Sequence, residues 1–146
     1  MILRTAVESL ALLLVSGAAA AGTWALTGGP DRTVVCDPAT LKSGYICFAD
    51  AKKLPGVVWV DARTRDLWTK NGYPDSVLLT DHPSEDFPSL MAEAFESLVT
   101  AENVVVYCST DGCGSSEPVS RKIKELDLIS EDQILVLSGG WKSLEL

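Results

Sequence analysis

Val104-Val105-Val106-Tyr107-Cys108-Ser109-Thr110-Asp111-Gly112-Cys113-Gly114-Ser115-Ser116-Glu117-Pro118 is the stretch on which the reading of this chain turns. Three valines and a tyrosine run on without polar alternation, as strands buried on both faces do. A cysteine ends the run, a short loop with two glycines follows, and Ser-Ser-Glu-Pro opens a helix. Ser115 or Ser116 suits the N-cap, Glu117 suits the first turn, and Pro118 needs no helical donor there. Successive amides of such a loop, at a helix N-terminus, form a nest for an anion. A thiolate at Cys108 would be stabilised there, which lowers its pKa and makes it a nucleophile.

Outward from this stretch the same grammar repeats. Strand candidates are Tyr45-Ile46-Cys47-Phe48, Val57-Val58-Trp59-Val60, Val77-Leu78-Leu79, Val104 to Tyr107 and Ile134-Leu135-Val136-Leu137. Helix candidates fall at about 50–54, 64–70, 85–101, 116–128 and 141–145. In the third, Phe87, Leu90, Met91, Ala94, Phe95 and Leu98 recur at helical spacing, with Glu93, Glu96 and Glu102 outward. Alternating strands and helices predict an α/β domain with a mostly parallel central sheet of about five strands, flanked by helices. The functional crevice of such a sheet lies beyond the carboxyl ends of the strands. Asp61-Ala62-Arg63, Thr80-Asp81-His82, Cys108 to Ser116 and Ser138-Gly139-Gly140 are the loops expected there.

From about residue 44 to residue 146 the chain resembles the rhodanese family. Val58-Trp59-Val60-Asp61-Ala62-Arg63 is similar to that family's strand ending in Asp-x-Arg, and Val105-Val106-Tyr107-Cys108 to the strand that delivers its cysteine. Leu137-Ser138-Gly139-Gly140-Trp141 is similar to its closing Gly-Gly-aromatic motif. Asn71-Gly72-Tyr73-Pro74-Asp75-Ser76-Val77 stands where the family usually has Gly-His-Ile-Pro-Gly-Ala-Ile, and keeps only Pro74 and the final aliphatic residue. The resemblance implies that Cys108 carries a persulfide during sulfur transfer. It implies that Ser109, Thr110, Asp111, Gly112, Cys113 and Gly114 form the anion-holding loop, and that Asp61 and Arg63 brace the crevice.

Departures from the family pattern narrow the chemistry. Thiosulfate-using members often place cationic side chains in or beside the loop. Here the loop has Asp111 and no Arg or Lys before Arg121, so a small dianion gains little from it. Phosphatases of related fold clamp phosphate with Cys-x5-Arg. Gly114 stands at that arginine position, which argues against phosphate-ester hydrolysis. The loop instead holds Cys113, which either fills its interior or resolves an oxidised Cys108 as a disulfide. Two cysteines with one distant histidine make a poor zinc set, and the sequence implies no metal or cofactor. That histidine, His82, lies near a strand end and reads as a surface or helix-start residue.

The amino-terminal region differs in kind. Between Glu8 and Asp31 lie 22 residues without charge, running from Ser9-Leu10-Ala11-Leu12-Leu13-Leu14-Val15 to Trp24 and Leu26. That is long enough to cross a bilayer. Residues 1–27 are expected to be a transmembrane anchor or uncleaved signal, residues 28–43 a linker, and residues 44–146 the rhodanese-like domain. The expected arrangement is single-pass with the domain extracytoplasmic. The alternative is a secreted or periplasmic domain after cleavage near Ala18 to Ala21. Outside the cytoplasm, Cys36 and Cys47 are candidates for a disulfide tying the linker to the domain. The net charge of -8 falls wholly within residues 31–146, since Arg4 and Glu8 cancel, and it argues against nucleic-acid binding.

Three functions follow as expectations. The first is a sulfurtransferase that takes sulfane sulfur from a donor onto Cys108 and passes it to a thiol acceptor, either being a small molecule or a protein. The second is a thiol-disulfide module using Cys108 and Cys113. The third is a non-catalytic binding module of the same fold.

Overall fold

The computed structural model describes residues 36–109 and 114–145. The expected membrane segment and Thr110 to Cys113 lie outside the described residues. No helix among the described residues is long and apolar enough to cross a membrane.

Five strands form one sheet: β1 (Tyr45–Ile46), β2 (Val57–Asp61), β3 (Val77–Leu78), β4 (Asn103–Tyr107) and β5 (Ile134–Leu137). Their spatial order is β1-β5-β4-β2-β3, and every pairing is parallel. Parallel neighbours require crossovers. These carry α1 (Phe48–Ala51), α2 (Arg65–Asn71), α3 (Phe87–Val99) and α4 (Ser116–Glu125). β4 stands in the middle, flanked by β5 and β2.

The sheet separates two cores, and strand alternation assigns residues to each. Val104, Val106 and Cys108 of the β4 run share one core with Val60, Ala62, Leu90, Ala94, Leu98, Val119 and Ile123, so α3 and α4 cover that face. Val105 and Tyr107 point to the other face and pack with Phe48, Ala51, Trp59 and Leu137. Along α3 the buried residues are Leu90, Ala94 and Leu98, an i, i+4, i+8 stripe. Asp86 starts that helix by accepting a hydrogen bond from the Ser89 amide at 3.2 Å.

The expected helix at 50–54 forms earlier, at Phe48–Ala51. Phe48 and Ala51, three residues apart, both reach the second core, where the Phe48 ring meets those of Trp59 and Tyr73 at 5.9 Å each. Burying that aromatic draws the turn forward to the end of β1. Cys47, just before it, is joined by a disulfide to Cys36, with Cα atoms 5.6 Å apart. This bridge fastens the segment ahead of β1 to the sheet edge. Cys36→Ser should lower unfolding free energy by about 3 kcal/mol, the loop-entropy value for a ring of this length. Urea denaturation with and without reductant measures it, and reductant should erase the difference between the two proteins.

Candidate active site

Four chain segments converge at the carboxyl ends of β2, β3 and β4. There, Ala62, Arg63, Thr64, Leu67, Thr80, His82, Cys108, Ser109 and Ser115 enclose a cleft of about 150 Å³. Cys108 follows the last residue of β4 and is 2% exposed. Its sulfur is engaged in a disulfide. Ser109 and Ser115 stand on either side of the loop and line the same cleft. Gly114 has φ +71, a left-handed turn that glycine adopts without penalty just before α4. Ser115 takes the N-cap position, but its side chain makes no capping bond. Cys113 and the rest of the holding loop, Thr110, Asp111 and Gly112, are outside the described residues.

Beneath the cleft lies a buried polar network that starts from strand register. Asp61 and Tyr107 are direct partners across β2 and β4. Both side chains therefore emerge on the same face, and the Tyr107 hydroxyl donates to Asp61 Oδ2 at 2.8 Å. Two residues on, Arg63 returns to that face. Its Nε reaches Asp61 Oδ1 at 3.0 Å, and its Nη2 reaches Oδ2 at 2.7 Å. The Arg63 amide also donates to Asp61 Oδ1 at 2.9 Å. Nη1 donates to Asn71 Oδ1 at 3.1 Å and Nη2 to the Asn71 carbonyl at 3.3 Å, which ties in the end of α2. The guanidinium lies over Trp141 at 5.1 Å and Tyr107 at 5.6 Å from the ring centres. Asp61 is 0% exposed and Arg63 is 6% exposed. The ion pair is thus buried with its geometry satisfied, the case in which such pairs persist.

Sequence reasoning placed Ser138-Gly139-Gly140 on the rim of the crevice, but the loop works from behind it. Gly139 and Gly140 adopt φ of +78 and +57, a turn open to glycine. The turn brings the Trp141 amide to the Cys108 carbonyl at 2.5 Å, and the indole Nε1 donates to the Asn71 carbonyl at 2.8 Å. Trp141 therefore fixes the backbone that carries Cys108.

One residue gains a place that sequence reasoning did not assign. Tyr107 read only as strand core, because the register that sets it against Asp61 is not visible in one strand. His82, in the Thr80-Asp81-His82 loop expected at the crevice, does line the cleft with Cys108 rather than standing apart as a surface or helix-start residue.

The profile of the family described as rhodanese-like domain matches residues 47–145. The chain belongs to the rhodanese-like domain family. Its fold is similar to the N-terminal domain of a protein from Clostridium difficile 630 whose name refers to ATP/GTP binding. The two align with a TM-score of 0.55 and 19% identity, over 69% of this chain and 95% of that one. The fold is also similar to the BH2092 protein from Bacillus halodurans, with a TM-score of 0.50 and 16% identity, over 67% of this chain and 68% of that one. At these identities the likeness concerns the fold alone. No curated protein matches the sequence.

The brace makes two quantitative demands on this rhodanese-like domain. Asp61→Ala leaves the Arg63 charge buried without a counterion and should cost about 3–5 kcal/mol in urea unfolding. The phenol of Tyr107 is pushed up from 10.0 to about 12, chiefly by burial and then by the Asp61 charge, against hydrogen bonds from Ser76 and the Tyr73 amide that lower it. A raised phenol keeps its proton longer in the folded state than in the unfolded one. Stability is therefore constant with respect to this group below pH 10 and falls as pH rises from 10 towards 12. The loss should be on the order of 2 kcal/mol across that window, and Tyr107→Phe should lack this part of the alkaline slope.

Proposed function

We propose that this protein is a rhodanese-like sulfurtransferase with Cys108 as its sulfur carrier. The observation that carries the reading is the seat of Cys108: it ends the central strand at the floor of a cleft and is backed by the braced ends of β2 and β4. Reaction begins once a thiol reductant has opened the disulfide on Cys108, taking up its oxidising equivalents as a new disulfide. The Cys108 thiolate attacks the sulfane sulfur of a donor R–S–SH. A new S–S bond forms to Cys108, the donor's S–S bond breaks, and the donor leaves as R–S⁻. An acceptor thiolate then attacks the outer sulfur, becomes a persulfide itself, and releases the Cys108 thiolate. Each step exchanges one S–S bond for another, so no outside oxidant is needed within the cycle.

The donor that suits the site is a persulfide on a protein or a low-molecular-weight thiol. Arg63 is committed to Asp61 and Asn71, and the loop sequence adds an acid and no base before Arg121. A free dianion such as thiosulfate finds little charge to complement there. We place the domain outside the cytoplasm on a single N-terminal anchor, which the uncharged residues 9–30 would supply. The Cys36–Cys47 bridge supports that compartment, since disulfides persist where the surroundings are oxidising.

A second reading is favoured by one observation: Cys108 is disulfide-bonded. Cys36 and Cys47 pair with each other, and the sequence sets Cys113 five residues after Cys108 as the candidate resolving thiol. In that reading the pair cycles between dithiol and disulfide, exchanging electrons with an outside thiol.

Transfer assays on pre-reduced protein, with a panel of persulfide donors and thiol acceptors, separate these readings. Wild type should transfer sulfur and Cys108→Ser should fall to the background rate. Undiminished transfer by Cys108→Ser would sink the assignment. Reversible disulfide exchange without any transfer would favour the dithiol reading, and neither activity would leave a binding module.

A further inference from the structure

The anionic sulfur states of this site are stabilised by hydrogen-bond donors, and Arg63, Thr64, His82, Ser109 and Ser115 carry such groups on the cleft wall. Arg63 spends four of its five N–H groups on Asp61 and Asn71 among the described residues. Among the cleft-lining side chains that leaves one ring N–H: His82, an exposed residue that lines the cleft with Cys108.

The backbone around His82 fixes how its ring can act. β3 is followed by Leu79 and Thr80, both buried, and the Leu79 amide donates to the Asp61 carbonyl at 3.0 Å. The Thr80 hydroxyl donates to the Ala62 carbonyl at 3.0 Å, and the His82 amide donates to that hydroxyl oxygen at 3.3 Å. His82 is thereby clamped to the exit of β2, the strand whose last loop forms one wall of the cleft. A turn then closes, with the Glu85 amide donating to the His82 carbonyl at 2.9 Å. Within this turn the Ser84 amide donates to His82 Nδ1 at 3.3 Å, and the Ser84 hydroxyl lies 2.7 Å from the same nitrogen. A backbone amide only donates, so Nδ1 must accept. The neutral ring then carries its proton on Nε2.

We propose that His82 Nε2–H is the donor that holds the terminal sulfur of the Cys108 persulfide in its anionic form. The role rests on the sulfurtransferase reading and names the group that stands in for the absent loop cations. No proton is transferred: the hydrogen bond to S⁻ favours the ionised persulfide over the protonated one. Hydrogen bonds to a charged partner are stronger than those to a neutral one, and from an exposed donor the effect is about a tenfold change in the ionisation constant. His82 is a holding residue in this account, and Ser84 positions it.

The test is spectroscopic and independent of turnover. Pre-reduced full-length protein is loaded with sulfur from a low-molecular-weight persulfide and freed of excess donor. The near-ultraviolet band of the persulfide anion is then followed against pH. His82→Leu should move the midpoint up by about one pH unit, a tenfold loss of the anion on the acid side. His82→Gln, which keeps an N–H donor, should lie much closer to wild type. A merely structural role would shift both variants alike. Equal midpoints in wild type and His82→Leu, or equal shifts in Leu and Gln variants, would overturn the assignment of His82 while leaving the persulfide chemistry standing. A wild-type protein that takes up no sulfur would instead overturn the sulfurtransferase reading, and this inference with it.

Discussion

Arg63 is buried at the end of a central strand, and a buried guanidinium is tolerated only if its charge and its donors are answered. Asp61 answers the charge with both carboxylate oxygens, and Asn71 takes two further N–H groups. Tyr107 adds a hydroxyl to the same carboxylate from the neighbouring strand. Three pieces of chain are joined in this way: the end of β2, the end of α2 and the end of β4. The cleft exists where they meet. Trp141, stacked on Arg63 and bonded to the Cys108 carbonyl, brings the C-terminal segment into the same unit.

Strand alternation explains how one short segment serves two purposes. Tyr107 turns to the face of Phe48 and Trp59, where it supports the brace. Cys108, one residue later, joins the opposite core beneath α3 and α4, where the cleft opens. Tyr107 and Cys108 are therefore neighbours in sequence but emerge on opposite faces of the sheet. A slip of one residue in β4 would exchange them, placing the thiol against the aromatics and the phenol in the cleft. The apolar run Val104 to Val106, fully buried on both faces, resists that slip because each valine is fitted to its own core.

Much of this was legible before any coordinates. Short apolar runs marked all five strands, and the later ones are continuous aliphatic runs, as strands covered on both faces require. The cysteine at the end of β4 and the paired glycines before Trp141 located the cleft and its rear support. What stayed hidden depends on long-range juxtaposition. The Asp61–Tyr107 contact requires the parallel register of two strands 46 residues apart in the chain. The first helix shifts because Phe48 seeks aromatic partners that are distant in sequence. The loop of His82 was expected at the crevice, but the tie from the Thr80 hydroxyl to the Ala62 carbonyl that holds it there was not.

The account holds that Asp61, Arg63 and Tyr107 act as one unit under the cleft, so that loss of one changes what the others contribute. A double-mutant cycle of Asp61→Asn and Tyr107→Phe, read by urea unfolding near neutral pH, tests this most directly. A shared hydrogen bond in a buried network predicts a coupling energy of about 1 kcal/mol or more. Additivity of the two substitutions to within about 0.3–0.5 kcal/mol, the behaviour of independent sites, would contradict it.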